Sequence, residues 1–167
     1  GTLIDAAKAL ARRLGLPFVA IPTIAATCAA WTPLSVWYND AGQALHFEIF
    51  DDANFLVLVE PEIVLNAPDA YLLAGIGDTL AKWYEAVVLA PQPETLPLTV
   101  RLGINGALAI RDVLLEHSEE ALADQQRGEQ TQAFRDVVDA IIAGGGMSAV
   151  WVSATPAWRR HTRCIMA

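Results

Sequence analysis

The 167-residue chain is 54% hydrophobic and 18% charged, and its length suits one ordinary domain or two small lobes. Its 19 acidic side chains outnumber 11 basic ones, which argues against nucleic acid and against an anionic membrane surface as partners. No uncharged run is long enough for a membrane-spanning helix, and Cys28 and Cys164 alone make no disulfide framework, which favours a reducing, cytoplasmic setting.

In chain order, IDAAKALARRL has helical periodicity, with Ile4, Ala7, Leu10, Ala11 and Leu14 on one face and Lys8 and Arg12 on the other. Its charges mark an amphipathic helix rather than a signal peptide. Gly15 is placed to cap it and Pro17 to stop it. PFVAIPT reads as a short, fully buried strand. LSVWY and ALHFEIF flank the turn sequence NDAG and predict a hairpin. NFLVLVEP predicts a second buried strand, of the parallel-sheet type. EIVLNAP is a short helical piece broken at Pro68. From Asp69 to Ile142 nearly every residue follows a helical period, interrupted by the turn PQPETLP. The fold class is therefore α/β to about Asn66 and all-helical afterwards. Two core strands cannot bury both faces of a sheet, so the α/β portion reads as part of a larger domain.

Three places could carry chemistry. Gly1 directly before a helix resembles a phosphate-cradling turn, with free N–H groups and the positive end of the helix dipole facing an anion. One glycine is also what an ordinary loop contains. IPTIAATCAAWTPLSVWY follows a buried strand, where open α/β sheets bind ligands, and offers the hydroxyls of Thr23, Thr27 and Thr32 and the rings of Trp31, Trp37 and Tyr38. These could equally be turn caps and core aromatics. Asp78, in AGIGD, is either a helix N-cap, a partner for Lys82 at i+4, or a metal ligand beside the small residues Ala74, Gly75 and Gly77. One carboxylate is not a metal site, because a transition metal wants His or Cys partners. His46, in the hairpin, and His117, at the polar end of a helix, read as solvent-facing.

GTLIDAAKALARRLGLPFVAIPTIAATCA, LSVWY and LNAPDAYLLAGIGDTLAKWYEA occur in the order and spacing of the glycerol dehydrogenase branch of the metal-dependent, iron-type alcohol dehydrogenases, which the chain resembles from Gly1 through Met147. The resemblance implies a dehydroquinate synthase-like architecture. Residues 1–66 would be the C-terminal part of a Rossmann-like dinucleotide-binding domain, and 67–147 the start of a helical metal and substrate domain. It implies that Gly1, Thr2, Leu3, Ile4 and Asp5 fall on the pyrophosphate-binding stretch. Thr23, Ile24, Ala25 and Ala26 would contact the nucleotide, as would Thr32, Leu34 and Tyr38. Asp78 would bind the catalytic metal, zinc or another divalent ion. NAD or NADP would be the cofactor, a small molecule the substrate, and a homo-oligomer the full-length assembly. Where the family reads TIASTDA, this chain reads TIAATCA, so Cys28 replaces a polyol-contacting carboxylate. Loss of that anion favours an anionic 2-oxo acid over glycerol, which is the hydroxycarboxylate variant of the activity. The alternatives are a polyol dehydrogenase and, in a different class, a non-catalytic fragment.

The last twenty residues break with the rest. Residues 1–147 hold 8 bases and 19 acids, net −11, whereas 148–167 hold three arginines and no acid. The family continues past GGGM with a segment like VGGLGERYTRVAAAHAVHNG, containing the first of two metal-binding histidines. With one base added after the Met147 codon, SAVWVSATPAWRRHTRCIMA can be read as that segment along its whole length. The expectation is a frameshifted tail from Ser148, in which His161 is no ligand, and a chain that by itself is inactive and marginally folded.

Overall fold

The computed structural model describes residues 1–89 and 93–153. Most of the predicted tail, with Trp158, His161 and Cys164, and part of the PQPETLP turn lie outside the described residues. The fold is mixed α/β and mostly helical. Helix α1 (Thr2–Leu14) is followed by strands β1 (Val19–Ala20), β2 (Leu34–Tyr38), β3 (Ala44–Ile49) and β4 (Leu56–Val57). Then come helices α2 (Pro61–Leu65), α3 (Asp69–Leu89), α4 (Leu98–Arg127), α5 (Gln132–Asp139) and α6 (Gly145–Ser153). The π-helical turn Ala140–Gly144 joins the last two.

Local signals place most boundaries. Gly15 takes the left-handed conformation, φ 66°, that lets α1 end, and its N–H and that of Leu16 return to the carbonyls of Arg12 and Ala11. The hairpin pairs Leu34 with Ile49 and Val36 with Phe47, and Asn39 Oδ1 accepts from the Ala41 and Gln43 N–H groups to close its turn. Glu60 caps α2 and Thr131 caps α5, each accepting from a backbone N–H.

The two buried strands are corrected. β1 and β4 pair in parallel, as the apolar runs imply, but each is two residues long, and Val19, Leu56 and Leu58 are exposed. Among the described residues this ladder has no third strand, and Val19 and Leu56 stand exposed while Ala20 and Val57 face the core.

The orientation of α1 is also corrected. Its buried residues are Asp5, Lys8 and Ala9, while Leu10 and Leu14 face outward. Apolar spacing predicts the opposite. The inversion holds because the Lys8 ammonium reaches four oxygen atoms inside the protein, which offsets the cost of burying it.

A single cluster joins the two portions. Ala20, Ala25 and Ala30 of the α/β part pack with Val64 and Leu65 of α2, Leu72 and Ile76 of α3, Leu114 and Ala121 of α4, and Phe134, Val137, Val138, Ile141 and Ile142 after it. Ala86, Val100, Ile104 and Ala107 make a smaller contact between α3 and α4. Three successive glycines let the α5–α6 rod pass close to three neighbours. A Cβ on Gly144 would stand 2.9 Å from Ile110 Cγ1, one on Gly145 would be 3.4 Å from Lys82 Cε, and one on Gly146 would be 2.5 Å from Trp31. No helix among the described residues is long and apolar enough to cross a membrane.

Candidate functional site

The N-terminal turn of α1 and the loop after β1 form the two walls of one cleft of about 420 Å³, lined by Gly1–Ile4 on one side and Ile21–Ile24, Ala26, Thr27, Ala29 and Ala30 on the other. Gly1 caps the helix without a side-chain hydrogen bond, which leaves the first N–H groups of α1, on residues that line the cleft, without a side-chain partner. Among the described residues no acidic side chain lines it, and the wall residues are small or apolar. These features fit the pyrophosphate of a dinucleotide.

The structure thus brings Gly1, Thr2, Leu3, Ile4, Thr23, Ile24 and Ala26 together. It sets the other residues of interest apart from that lining. Asp5 is buried and ion-paired with Lys8 at 2.9 Å. Ala25 is buried under α3. Thr32 is buried and Leu34 partly so, and both turn their carbonyls to Lys8. Tyr38 is exposed at the far end of β2.

Asp78 is the tenth residue of α3, so it is no N-cap; the helix starts at Asp69 because Pro68 cannot continue a helix backwards. Of the alternatives, the i+4 pair is present: Lys82 Nζ lies 2.9 Å from Asp78 Oδ2. Gly75 is small because the backbone of the cleft loop lies against it: a Cβ there would come within 2.0 Å of the Ala25 carbonyl oxygen. Gly77 faces open space.

Cys28 belongs to the same neighbourhood. Burial pushes its thiol up from the usual value, with the Lys82 ammonium opposing and the Asp78 carboxylate adding to the shift. Burial alone would lower Lys82, but Cys28, Asp78 and Glu85 outweigh it and hold its pKa above the ordinary one. The loop residue and the two charges of α3 therefore share one field. Because the thiolate is the reactive form, Cys28 is expected to react with iodoacetamide at pH 8 several-fold more slowly than free cysteine, as read by mass spectrometry of the peptide. A faster reaction would mean that Lys82 outweighs the burial.

A metal fits less well. Among the described residues no group of three His, Cys, Asp or Glu side chains is gathered to hold an ion, and the Asp78 carboxylate is engaged by Lys82. His46 is exposed and stacked on Trp37, their ring centroids 6.3 Å apart, and His117 lies beside Glu116. The described residues do not by themselves make a metal site.

Two features escape sequence reasoning. Lys8 reads as a solvent-facing lysine, and only its carbonyl partners, 21 to 26 residues away, reveal otherwise. The glycine run 144–146 reads as a family marker, whereas it seats Lys82 and Trp31 against α6.

Residues 1–61 match the family model described as iron-containing alcohol dehydrogenase. The chain is 86% identical over 147 residues to hydroxycarboxylate dehydrogenase A of Escherichia coli K12, covering 88% of this chain and 41% of that protein. It is 35% identical over 163 residues to the glycerol dehydrogenase of Thermotoga maritima, covering 94% of this chain and 44% of the relative. Among solved structures, the glycerol dehydrogenase of Schizosaccharomyces pombe superposes with a TM-score of 0.79 at 29% identity, covering 87% of this chain and 38% of that one. The chain spans about two fifths of the length of the curated relatives it matches.

Proposed function

Since the chain belongs to the iron-containing alcohol dehydrogenase family, we propose that it carries the dinucleotide-facing part of an oxidoreductase that interconverts 2-oxo acids and 2-hydroxy acids. The observation that carries this reading is the cleft between the uncapped start of α1 and the Thr23–Thr27 loop. Residues 1–66 would then be the C-terminal part of a Rossmann-like domain. The α1 amides hold the pyrophosphate of NAD or NADP, and Thr23, Ile24 and Ala26 on the opposite wall follow the rest of the cofactor. When bound, the nicotinamide supplies or accepts the hydride at the substrate carbon.

The chain's own residues shape the substrate end. Cys28, kept neutral by burial, does not repel a carboxylate as an aspartate there would. Lys82 holds positive charge beside it. This preference for an anionic substrate agrees with the name of the 86% identical relative. By its match to the family's AGIGD motif, Asp78 would serve as a ligand for zinc or another divalent metal. The described residues do not complete that site, so no step is derived through it. The competing enzyme reading is a polyol dehydrogenase, favoured by the glycerol dehydrogenase relatives.

The test has two parts. Titrating the chain with NADH and following tryptophan fluorescence is expected to give saturable quenching. No binding up to about 1 mM, roughly 4 kcal/mol of affinity, would overturn the dinucleotide reading. In a longer homologous enzyme carrying the same TIAATCA loop, Cys28→Asp is expected to shift the ratio of kcat/KM from 2-oxo acids towards polyols. An unchanged ratio would remove Cys28 from the substrate site.

A further inference from the structure

Lys8 is among the most deeply buried side chains of the protein, 1% exposed, although it carries a charge. Its ammonium donates to the carbonyls of Ala29 at 2.8 Å, Thr32 at 3.1 Å and Leu34, and pairs with Asp5 at 2.9 Å. Three N–H donors meet four oxygens, so the group is fully satisfied. Ser35 closes the arrangement by donating its hydroxyl to the Asp5 carbonyl at 2.7 Å. Every acceptor apart from Asp5 belongs to one segment, residues 29–34, and every connection returns to the second turn of α1.

The position of this knot matters more than its strength. Lys8 stands two turns along the helix whose first turn, Gly1–Ile4, forms one wall of the cleft. Ala29 and Ala30, at the start of the segment it grips, belong to the other wall. One ammonium thus ties the two walls together without lining the cleft. We propose that Lys8 is a positioning residue that fixes the spacing between the start of α1 and the 23–34 loop, and so sets the affinity of the cleft for a dinucleotide. This role rests on the reading of the cleft as a dinucleotide site. It is not a ligand contact: Lys8 is sealed from the cleft, and its work is done on the backbone of the loop.

The consequence of removing it follows from the carbonyls. Lys8→Met keeps the length of the apolar stem and strips the donors, leaving the Ala29 and Leu34 carbonyls and the Asp5 carboxylate without that partner. The loop is then free to seek water, and the walls separate. Lys8→Arg keeps the charge but replaces a compact ammonium by a planar fork that cannot converge on the same oxygens.

The experiment uses the full chain, NADH as the probe, and amide hydrogen exchange of residues 29–35 as a second readout. Gln125→Ala serves as the control, because it removes an amide that donates to the Val64 and Ala67 carbonyls outside the cleft and lowers stability alone. Lys8→Met is expected to weaken NADH binding by about tenfold or more and to speed exchange across 29–35. Gln125→Ala is expected to leave both unchanged at a temperature where the chain is folded. Equal NADH affinity and equal exchange in folded Lys8→Met would overturn the proposal. Should Lys8→Met fail to fold, Lys8→Arg decides: weaker binding with faster exchange supports the clamp, and unchanged values overturn it. If the unsubstituted chain binds no NADH, the dinucleotide reading fails and the positioning role fails with it. Exchange at 29–35 still reports separately whether the clamp holds the loop.

Discussion

Gly75→Ala is expected to destabilise the chain by about 1–3 kcal/mol, the cost of overpacking a close contact. Gly77→Ala, two residues further along the same helix, is expected to stabilise it by about 0.5–1 kcal/mol. Both glycines sit inside α3, where each weakens the helix by the backbone freedom it surrenders on folding. Their surroundings decide the sign. At Gly77 the new methyl meets open space, so only the gain in helix propensity remains. At Gly75 it would stand 2.0 Å from the Ala25 carbonyl oxygen and about 3 Å from the Ala25 and Ala26 backbone. A backbone carbonyl cannot rotate aside as the end of a flexible side chain can, so the loop has to move as a whole. That loop is a wall of the cleft, and NADH affinity should fall together with stability in Gly75→Ala. Urea denaturation of the two variants, side by side, is the measurement. Two variants of equal stability would show that Ala25 does not rest on α3.

Phe134→Ala is expected to cost about 3–5 kcal/mol, a large share of what a domain of this size possesses. Phe134 is fully buried in the core cluster, on the first turn of α5. Its backbone N–H is received by the Thr131 cap at 3.3 Å. Thr131 in turn donates to the carboxylate of Asp124, which also holds Arg127 and is itself fully buried. The turn between α4 and α5 is thus anchored from both sides, and the surroundings cannot collapse easily into the space left by a phenyl ring. Phe134→Leu, closer in volume, should cost less, of the order of 1.5 kcal/mol. Denaturation midpoints followed by circular dichroism read both. A loss below about 1 kcal/mol for Phe134→Ala would mean that the helices repack around the hole. Because Phe134 does not line the cleft, NADH affinity measured on the folded fraction should stay unchanged.

Much of the helical part was legible because its signals are local. Pro68 before Asp69, the 3.6-residue period through α3 and α4, and Gly15 at the end of α1 depend only on neighbours along the chain. The NDAG turn is of the same kind, since Asn39 closes it with its own side chain. The candidate site was legible as motif rather than as geometry. TIAA and AGIGD name the loop and the carboxylate, and the structure places Asp78 and Lys82 in one electrostatic neighbourhood with Cys28. The burial of β1 and β4 was misread, because an apolar run does not reveal whether another strand lies beside it.

By itself, the amino-acid sequence determined where helices begin and end, where the hairpin turns, and which chemical groups are available near Thr23, Cys28 and Asp78. Each of these is set within a few residues, by backbone conformation and hydrogen bonds that close locally. Only the tertiary structure decided which face of α1 is buried, which of two glycines in α3 is indispensable, and what Lys8 is for. Those answers depend on partners 20 to 50 residues away, Ala29 and Leu34 for Lys8 and Ala25 for Gly75. A lysine is buried when enough oxygens converge on it, and no periodicity along the chain records where those oxygens will be.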